Sequence, residues 1–551
     1  MEVFALLAKT GKRILNEDLV MRFITLFAGV LATSAAMSAT ASQPPSEPGA
    51  LLSIGPKTFT FTWQQDPRAS YYQLLENRDG FSGYYPVGRP VDRDEESIRL
   101  VDIPLYDRIN ASYILQACNS AGCTDSGEIQ VDKALLVNGI VAIQPEDTGE
   151  QTIGHAVAIS SNGKTLALST FDKAYNNEKI YIFNQQETGQ WQRTATIPKF
   201  AVPGEKGYAA KLALDSTGTN LLVAREDGVQ VFKEKRLGLW GPVRTIKAGG
   251  IKFSDIQALS IAATPDVSTV IFGIASKVPE QKSFVYVSER GAAQNFDGFS
   301  SPEYQFRSGF GSTVSISADG NTIAVGAPNF DLEAPSRPGL TIRDSGVVYI
   351  FKRPDTGWSP SVKDEFTRLT PSYIDTGFGT GGYNFGNSVS LSADGRTVAV
   401  GAFRESANAT GINPFTLDYF ALDSGAAYVF DQNYLGQWQE TAYIKASNSK
   451  RFDRFGSKVS LTEDGNMLAV SAPFEDSPSL GLNSSQEQGT NTELDTGAVY
   501  IFKRPRRSQG WQQTSYVKPK TSDVRLFGRD LELSQDGDSL IVGGKNSVSL
   551  Y

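Results

Sequence analysis

Along most of the chain, apolar and polar residues alternate over short runs, and few windows carry the roughly 3.6-residue spacing of an amphipathic helix. In FGSTVSISADGNTIAVGAP, from Phe310, the pattern sets Val314 and Ile316 on one face and Ser315 and Ser317 on the other, and Asp319-Gly320 interrupts the run as a hairpin turn. The run GVVYIF downstream is different, because Val347, Val348, Tyr349, Ile350 and Phe351 are apolar on both faces. Such a strand needs a sheet covered on both sides. The chain therefore reads as all-β, with short strands in covered sheets.

The pattern recurs. Clear copies start at Phe310, Phe385 (FGNSVSLSADGRTVAVGAF) and Phe455 (FGSKVSLTEDGNMLAVSAP), and weaker ones at Ile153, Tyr208, Ile256 and Phe527, making seven. Each is followed by a third apolar strand, such as KIYIF, GAAYVF or GAVYIF, and usually by a fourth near a tryptophan, as in WQRTATI, WQETAYI and WQQTSYV. A four-stranded meander cannot bury both its faces alone, so the repeats are expected to stack around an axis as propeller blades. The seventh copy runs out at Tyr551 after its third strand, SVSLY, while an unassigned strand, LLVNGIVAIQ, lies upstream of the first. Residues 135–143 are expected to supply the missing strand and close the ring, which removes an exposed edge. Trp191, Trp240, Trp358, Trp438 and Trp511 recur at one place in the repeats and are read as packing between blades.

Upstream, residues 51–131 carry TFTFTW, SYYQLLEN, SIRLVDI and SYILQAC between Asp, Gly and Pro turns, the pattern of a β-sandwich. With Trp63 closing an early strand and Tyr113 opening a late one, the segment resembles a fibronectin type III domain, which implies spacing or adhesion. Cys118 and Cys123 depart from that family and are expected to form a disulfide after export. Export is read from residues 21–41, where Arg22 precedes an apolar run from Phe23 to Ala36 and small residues at Ala39 and Ala41 mark a cleavage site. Residues 1–41 are thus expected to be a signal peptide, with Met21 as the start, and residues 42–50 a flexible linker. The expected location is secreted, periplasmic or cell-surface, with no transmembrane span.

The pairs Phe310-Gly311 and Gly326-Ala327-Pro328, with their copies over residues 137–551, resemble the FG-GAP repeats of integrin α chains. The expected fold is a fibronectin type III-like β-sandwich followed, at 132–551, by a seven-bladed β-propeller closed by an N-terminal strand. Integrin repeats hold calcium in loops between first and second strands. Here that place holds SADGNT, SADGRT, TEDGNM or SQDGDS, with too few oxygens to wrap the ion. Asp319, Asp394, Asp464 and Asp536 are read as turn formers, and no cofactor is predicted; calcium stays open only without the integrin-type loops.

A net charge of −8 with no long basic run gives no electrostatic footprint for nucleic acid, which is not expected as a partner. His155 is the only histidine, and no GxSxG or HExxH motif is present, so histidine-triad and zincin chemistry are set aside. What varies between repeats is the connection from second to third strand, long at 329–344, 403–423 and 474–495. Insertions on one face of a rigid scaffold usually carry recognition. The candidate ligand-binding residues are therefore Asp331, Glu333, Arg343, Asp344, Glu405, Asp418, Tyr419, Asp423, Glu475, Asp476, Glu493 and Asp495. The expected function is an exported, monomeric, non-catalytic binding or adhesion protein that recognises an extracellular protein or glycan. Two alternatives stay open: an exported propeller glycoside hydrolase or polysaccharide lyase with carboxylates at the channel mouth, and a structural envelope component.

Overall fold

The tight turns come first in the physical order. In the computed structural model Asp319 Oδ1 accepts hydrogen bonds from the Ser317 hydroxyl (2.5 Å) and the Asn321 amide (2.9 Å), with Gly320 at φ 72°. Asp394, Asp464 and Asp536 repeat the device with Ser392 and Arg396, Thr462 and Asn466, and Ser534 and Asp538. The structure describes residues 43–551 apart from 146–151, 172–178, 199–210, 226–227, 248–255, 279–281, 291–297, 335–338, 373–381, 416–417, 419, 484–485 and 487–494. The signal peptide expected at 1–41 lies outside the described residues.

These four turns link first and second strands in blades 4–7 of a ring that comprises, among the described residues, seven antiparallel sheets, the blades, six of four strands and one of five. Blade 1 comprises Thr152–Ile159, Thr165–Phe171, Lys179–Gln185 and Trp191–Pro198, and blade 2 Lys211–Leu214, Asn220–Arg225, Gly228–Arg236 and Leu239–Lys247. Blade 3 comprises Ile256–Ala263, Thr269–Ser276, Phe284–Glu289 and Phe299–Ser300, and blade 4 Thr313–Ile316, Thr322–Ala327, Val347–Lys352 and Phe366–Leu369. Blade 5 comprises Ser388–Leu391, Thr397–Ala402, Ala426–Gln432 and Trp438–Lys445, and adds Gly411–Ile412 beyond its outer strand. Blade 6 comprises Val459–Leu461, Met467–Ala472, Ala498–Lys503 and Gln512–Val517. Blade 7 takes Arg525–Leu533, Leu540–Lys545 and Ser547–Leu550, and its fourth strand is Val141–Ile143, with Val548 opposite Ile143. The ring is thus closed by an N-terminal strand, as expected. That strand is shorter than the sequence pattern implied: Leu135–Gly139 forms a 3₁₀ turn, held where Lys57 donates its amide to the Gly139 carbonyl at 2.9 Å.

The repeated glycines are contacts between blades. A Cβ at Gly326 would collide with the Gly386 carbonyl oxygen of the next blade, and one at Gly401 with that of Gly456. The Gly of each Gly-Ala pair therefore makes room for the Gly of the following Phe-Gly pair. The Phe is pinned as well: Phe385, Phe455 and Phe527 donate their amides to the carbonyls of Ser345, Ser424 and Thr496 at 3.0 Å each, in the turns before the preceding third strands. Their rings then bury against the third strand of their own blade, as in Phe455 on Tyr500 at 5.3 Å. Of the recurrent tryptophans, Trp358 and Trp511 are buried and Trp191, Trp240 and Trp438 partly so.

The N-terminal unit is a two-sheet sandwich. Leu51–Gly55, Thr58–Thr62 and Ser97–Leu100 form one sheet; Tyr71–Asn77, Tyr85–Asp92, Ser112–Asn119, Gly122–Asp125 and Ile129–Gln130 form the other. Phe61 meets Tyr113 across the core at 4.7 Å, and Trp63 meets Tyr72 at 4.9 Å. Cys118 and Cys123 face each other across a hairpin as a disulfide. The sandwich is no free spacer. Phe59, Leu105, Tyr106, Leu136 and Ile140 share one apolar cluster with Ile501, Val517, Leu540 and Val542 of blades 6 and 7. At that join the buried Lys57 ammonium donates to the Asp538 carbonyl (2.8 Å), the Ser539 hydroxyl (2.8 Å) and the Tyr551 main-chain oxygen (3.0 Å). Burial pulls its pKa down to about 8. The docking surface includes the short first-to-second-strand turn of blade 7, where Lys57 and Tyr106 bond residues 537–539, and of the long connections Leu482 joins the same apolar cluster.

Candidate functional site

The long connections and the blade-to-blade connections lie on one face, because second and fourth strands both end there. Gln305, entering blade 4, bonds the main chain of Asp331 in both directions, at 2.9 and 2.7 Å. Phe452 and Arg454, entering blade 6, donate their amides to Leu422 (2.8 Å) and Asp423 (3.0 Å).

The candidate residues on this face divide by what they touch. Glu405 and Glu475 are fully enclosed. Lys445 Nζ donates to Glu405 Oε2 at 2.5 Å and to the Ser424 hydroxyl at 2.8 Å; Lys518 Nζ donates to Glu475 Oε2 and to the Thr496 hydroxyl, both at 2.7 Å. These carboxylates pin each loop to the outer strand of its own blade. Burial lowers the pKa of both lysines, against the pull of the paired carboxylates. Asp344, Asp423 and Asp495 hold positive φ of 52°, 52° and 35° in the turns before the third strands. Asp344 accepts from Asn329 at 3.1 Å, Asp423 from Arg404 at 3.4 Å, and Asp476 from the Asp495 amide at 3.2 Å. Burial, then the Asp476 charge, raises the Asp495 carboxyl. Asp331 accepts the Asp344 amide at 2.8 Å, Glu333 the Gly339 amide at 2.6 Å, and Asp418 the Asn408 side chain at 2.7 Å. Arg343 is exposed. Tyr419 and Glu493 lie outside the described residues.

The alternation pattern did not single out what these loops expose besides charge. Tyr304, Phe306, Phe415, Phe420 and Phe452 stand open on this face, Phe415 and Phe420 with 76% and 71% of their surface in solvent. Arg307 lies over the Phe306 ring at 4.8 Å and Arg451 over Phe452 at 5.5 Å.

A second region is the axial channel, a cavity of about 860 Å³ lined by the first strands of all seven blades. Its wall follows a rule of adjacency. Ser315, Ser388, Ser390 and Ser460 each accept, through the hydroxyl, an amide of the next blade's first strand, from Leu391 (3.0 Å), Val459 (3.1 Å), Leu461 (3.0 Å) and Leu533 (3.0 Å). Where blade 7 meets blade 1 the serines are replaced by carboxylates: Asp530 accepts from Val157 at 3.1 Å and Glu532 from Ile159 at 3.0 Å. Asp530 also receives Lys458 Nζ at 3.0 Å. Burial would raise its carboxyl, but the Lys458 and Lys211 ammoniums outweigh that and hold it low. For Glu532 burial outweighs the Ile159 amide and the Lys458 charge and pushes it up to about 8. His155 lines the same wall, its pKa brought down to about 4 by burial and then by Arg529 and Lys211, so the ring is neutral at pH 7.

Comparison with known proteins places an FG-GAP repeat at residues 438–502, spanning the fourth strand of blade 5 to the third of blade 6. No curated protein matches the chain in sequence. Among solved structures, Kuenenia stuttgartiensis hydrazine synthase is similar at 14% identity and a TM-score of 0.42, over 74% of this chain and 97% of that one. The RRP9 WD40 repeats are similar at 10% identity and a TM-score of 0.44, over 75% of this chain and 96% of that one. Among the described residues no helix is long and apolar enough to cross a membrane.

Proposed function

We propose that the chain is an exported, non-catalytic recognition protein of the FG-GAP, integrin-α-like kind, with a fibronectin type III-like sandwich. It binds an extracellular protein or glycan through the face that bears the long connections of blades 4–6. The observation that carries this reading is the set of exposed rings, Tyr304, Phe306, Phe415, Phe420 and Phe452, on connections that meet on that face. Large apolar side chains exposed together on one face point to an interaction site, and Phe306 and Phe452, each with an arginine over its ring, suit both sugar stacking and protein anchoring. The short turn of blade 7 on the opposite side already helps to hold the sandwich, and the Cys118–Cys123 disulfide fits an oxidising compartment.

The test is a glycan and surface-protein binding screen of the full chain, repeated with Phe415, Phe420 and Phe452 each changed to Ser. Shortening whole loops is the poorer test, because it also removes the structural Glu405 and Glu475. Loss of binding with unchanged melting supports the reading, whereas unchanged binding refutes it. Polysaccharide turnover in a parallel assay would favour the hydrolase or lyase alternative.

A further inference from the structure

The channel carries a charge imbalance that its structural roles do not absorb. Lys458 is paired with Asp530 at 3.0 Å, but Lys211 and Arg529 make no ion pair among the described residues. Lys211 sits in the channel wall beside Lys458, and that neighbouring charge, more than burial, pulls its pKa down to about 8. Arg529 is exposed and stands beside the wall, next to Asp530 in the chain, and its charge acts on His155 and Asp530, which line it. Both Asp530 oxygens are already occupied, one by Lys458 and the other by the Val157 amide. Glu532 is engaged by Ile159 and is predominantly protonated at pH 7, so it does not neutralise the lysines. Cations crowded in a partly desolvated cavity are unfavourable unless a counter-charge joins them.

We propose that the axial channel binds an oxyanion, a carboxylate or a phosphate, between Lys211, Lys458 and Arg529. Lys211 and Lys458 come from blades 2 and 6, and Arg529 from blade 7, so the anion ties together strands on either side of the ring closure. The remaining wall is mainly Ser, Val, Leu, Ile and Ala, with Asn and Gln side chains and one further carboxylate, Glu463, and leaves room in the cavity for a small organic group attached to the anion. The site is separate from the exposed loop rings, and the two can fail independently.

Calorimetric titration of the full chain at pH 7 with inorganic phosphate and, separately, with glucuronate tests this. Saturable binding of either is expected. Phosphate alone would identify a bare oxyanion, and tighter glucuronate binding the acidic end of a sugar. Lys211→Gln and Arg529→Gln break no ion pair, so each should weaken binding about tenfold while leaving the melting temperature unchanged. Absence of saturable binding by both anions, or affinity in both variants equal to that of the unaltered chain, overturns the proposal.

Discussion

Lys518 Nζ lies 2.7 Å from Glu475 Oε2 with both side chains shut off from solvent, and Lys445 with Glu405, at 2.5 Å, repeats the arrangement one blade earlier. Blade 4 runs its loop without the pair: Phe330 stands where Glu405 and Glu475 do and Thr370 where Lys445 and Lys518 do, and the Ser345 hydroxyl, equivalent to Ser424 and Thr496, is buried without a partner. The same loop can therefore be held without a buried ion pair.

Removing one member of such a pair leaves the other charge buried and alone. Lys518→Met is expected to cost about 3–5 kcal/mol, read by urea unfolding. Adding Glu475→Leu should recover most of that loss, since the double variant leaves no unpaired buried charge. A double variant no more stable than the single one would show that the carboxylate's bonds to Asn448 and Tyr516, both 2.9 Å, matter more than its lysine.

Gly401 is expected to tolerate no side chain. Its neighbour is a main-chain carbonyl, Gly456 O, which cannot swing aside, so Gly401→Ala must push blades 5 and 6 apart. Overpacking of this kind costs roughly 1–3 kcal/mol. Gly411, with open space around its Cβ direction but φ 83°, separates backbone strain from crowding as a control. The measurement is the unfolding midpoint of each variant.

Much of this was legible in the chain because repetition exposes it. Seven copies of one grammar force seven like sheets, and Phe-Gly and Gly-Ala stand out because close backbone approach permits little else. Asp-Gly turns are local and read directly. The roles of Glu405 and Glu475 were not legible, because their lysines lie 40 and 43 residues away and an acidic residue in a polar insertion looks solvated. The channel was hidden for a similar reason: Asp530 and Glu532 occupy ordinary strand positions, and only adjacency in the ring shows that they replace serines. Lys57 carried no signal at all, since its partners are some 480 residues on and acquire meaning only when the sandwich docks.

That docking changes what truncation should do. A chain beginning at Lys133 keeps the closing strand but strips Phe59, Leu105 and Tyr106 from Ile501, Val517 and Val542, leaving apolar surface bare. It is expected to melt below the full chain. A chain beginning at Gly149 also loses Val141–Ile143 and opens the ladder of Ser547–Leu550, so it should melt lower still. Equal melting of the full chain and the Lys133 chain would show that the shared cluster contributes little.

Anion binding in the channel should weaken as pH rises from 7 to 9, and two groups give the sign. Lys211, lowered to about 8, is charged below that pH and loses its attraction above it. Glu532, raised to about 8, is neutral below and becomes a negative neighbour above. Both changes oppose an anion, so they add. The other groups facing the site do not reverse the trend: His155 is neutral from well below pH 7, Asp530 stays ionised against Lys458, and Arg529 keeps its charge. Titration with phosphate is the less clean probe because it changes protonation near pH 7, so glucuronate, whose carboxylate is fully ionised throughout, should report the protein alone. Glu532→Gln removes the second contribution and should flatten the decline above pH 8 without abolishing it, because Lys211 still titrates. If affinity for glucuronate is instead level across this range, the anion is held away from both groups and the assignment of Lys211 fails.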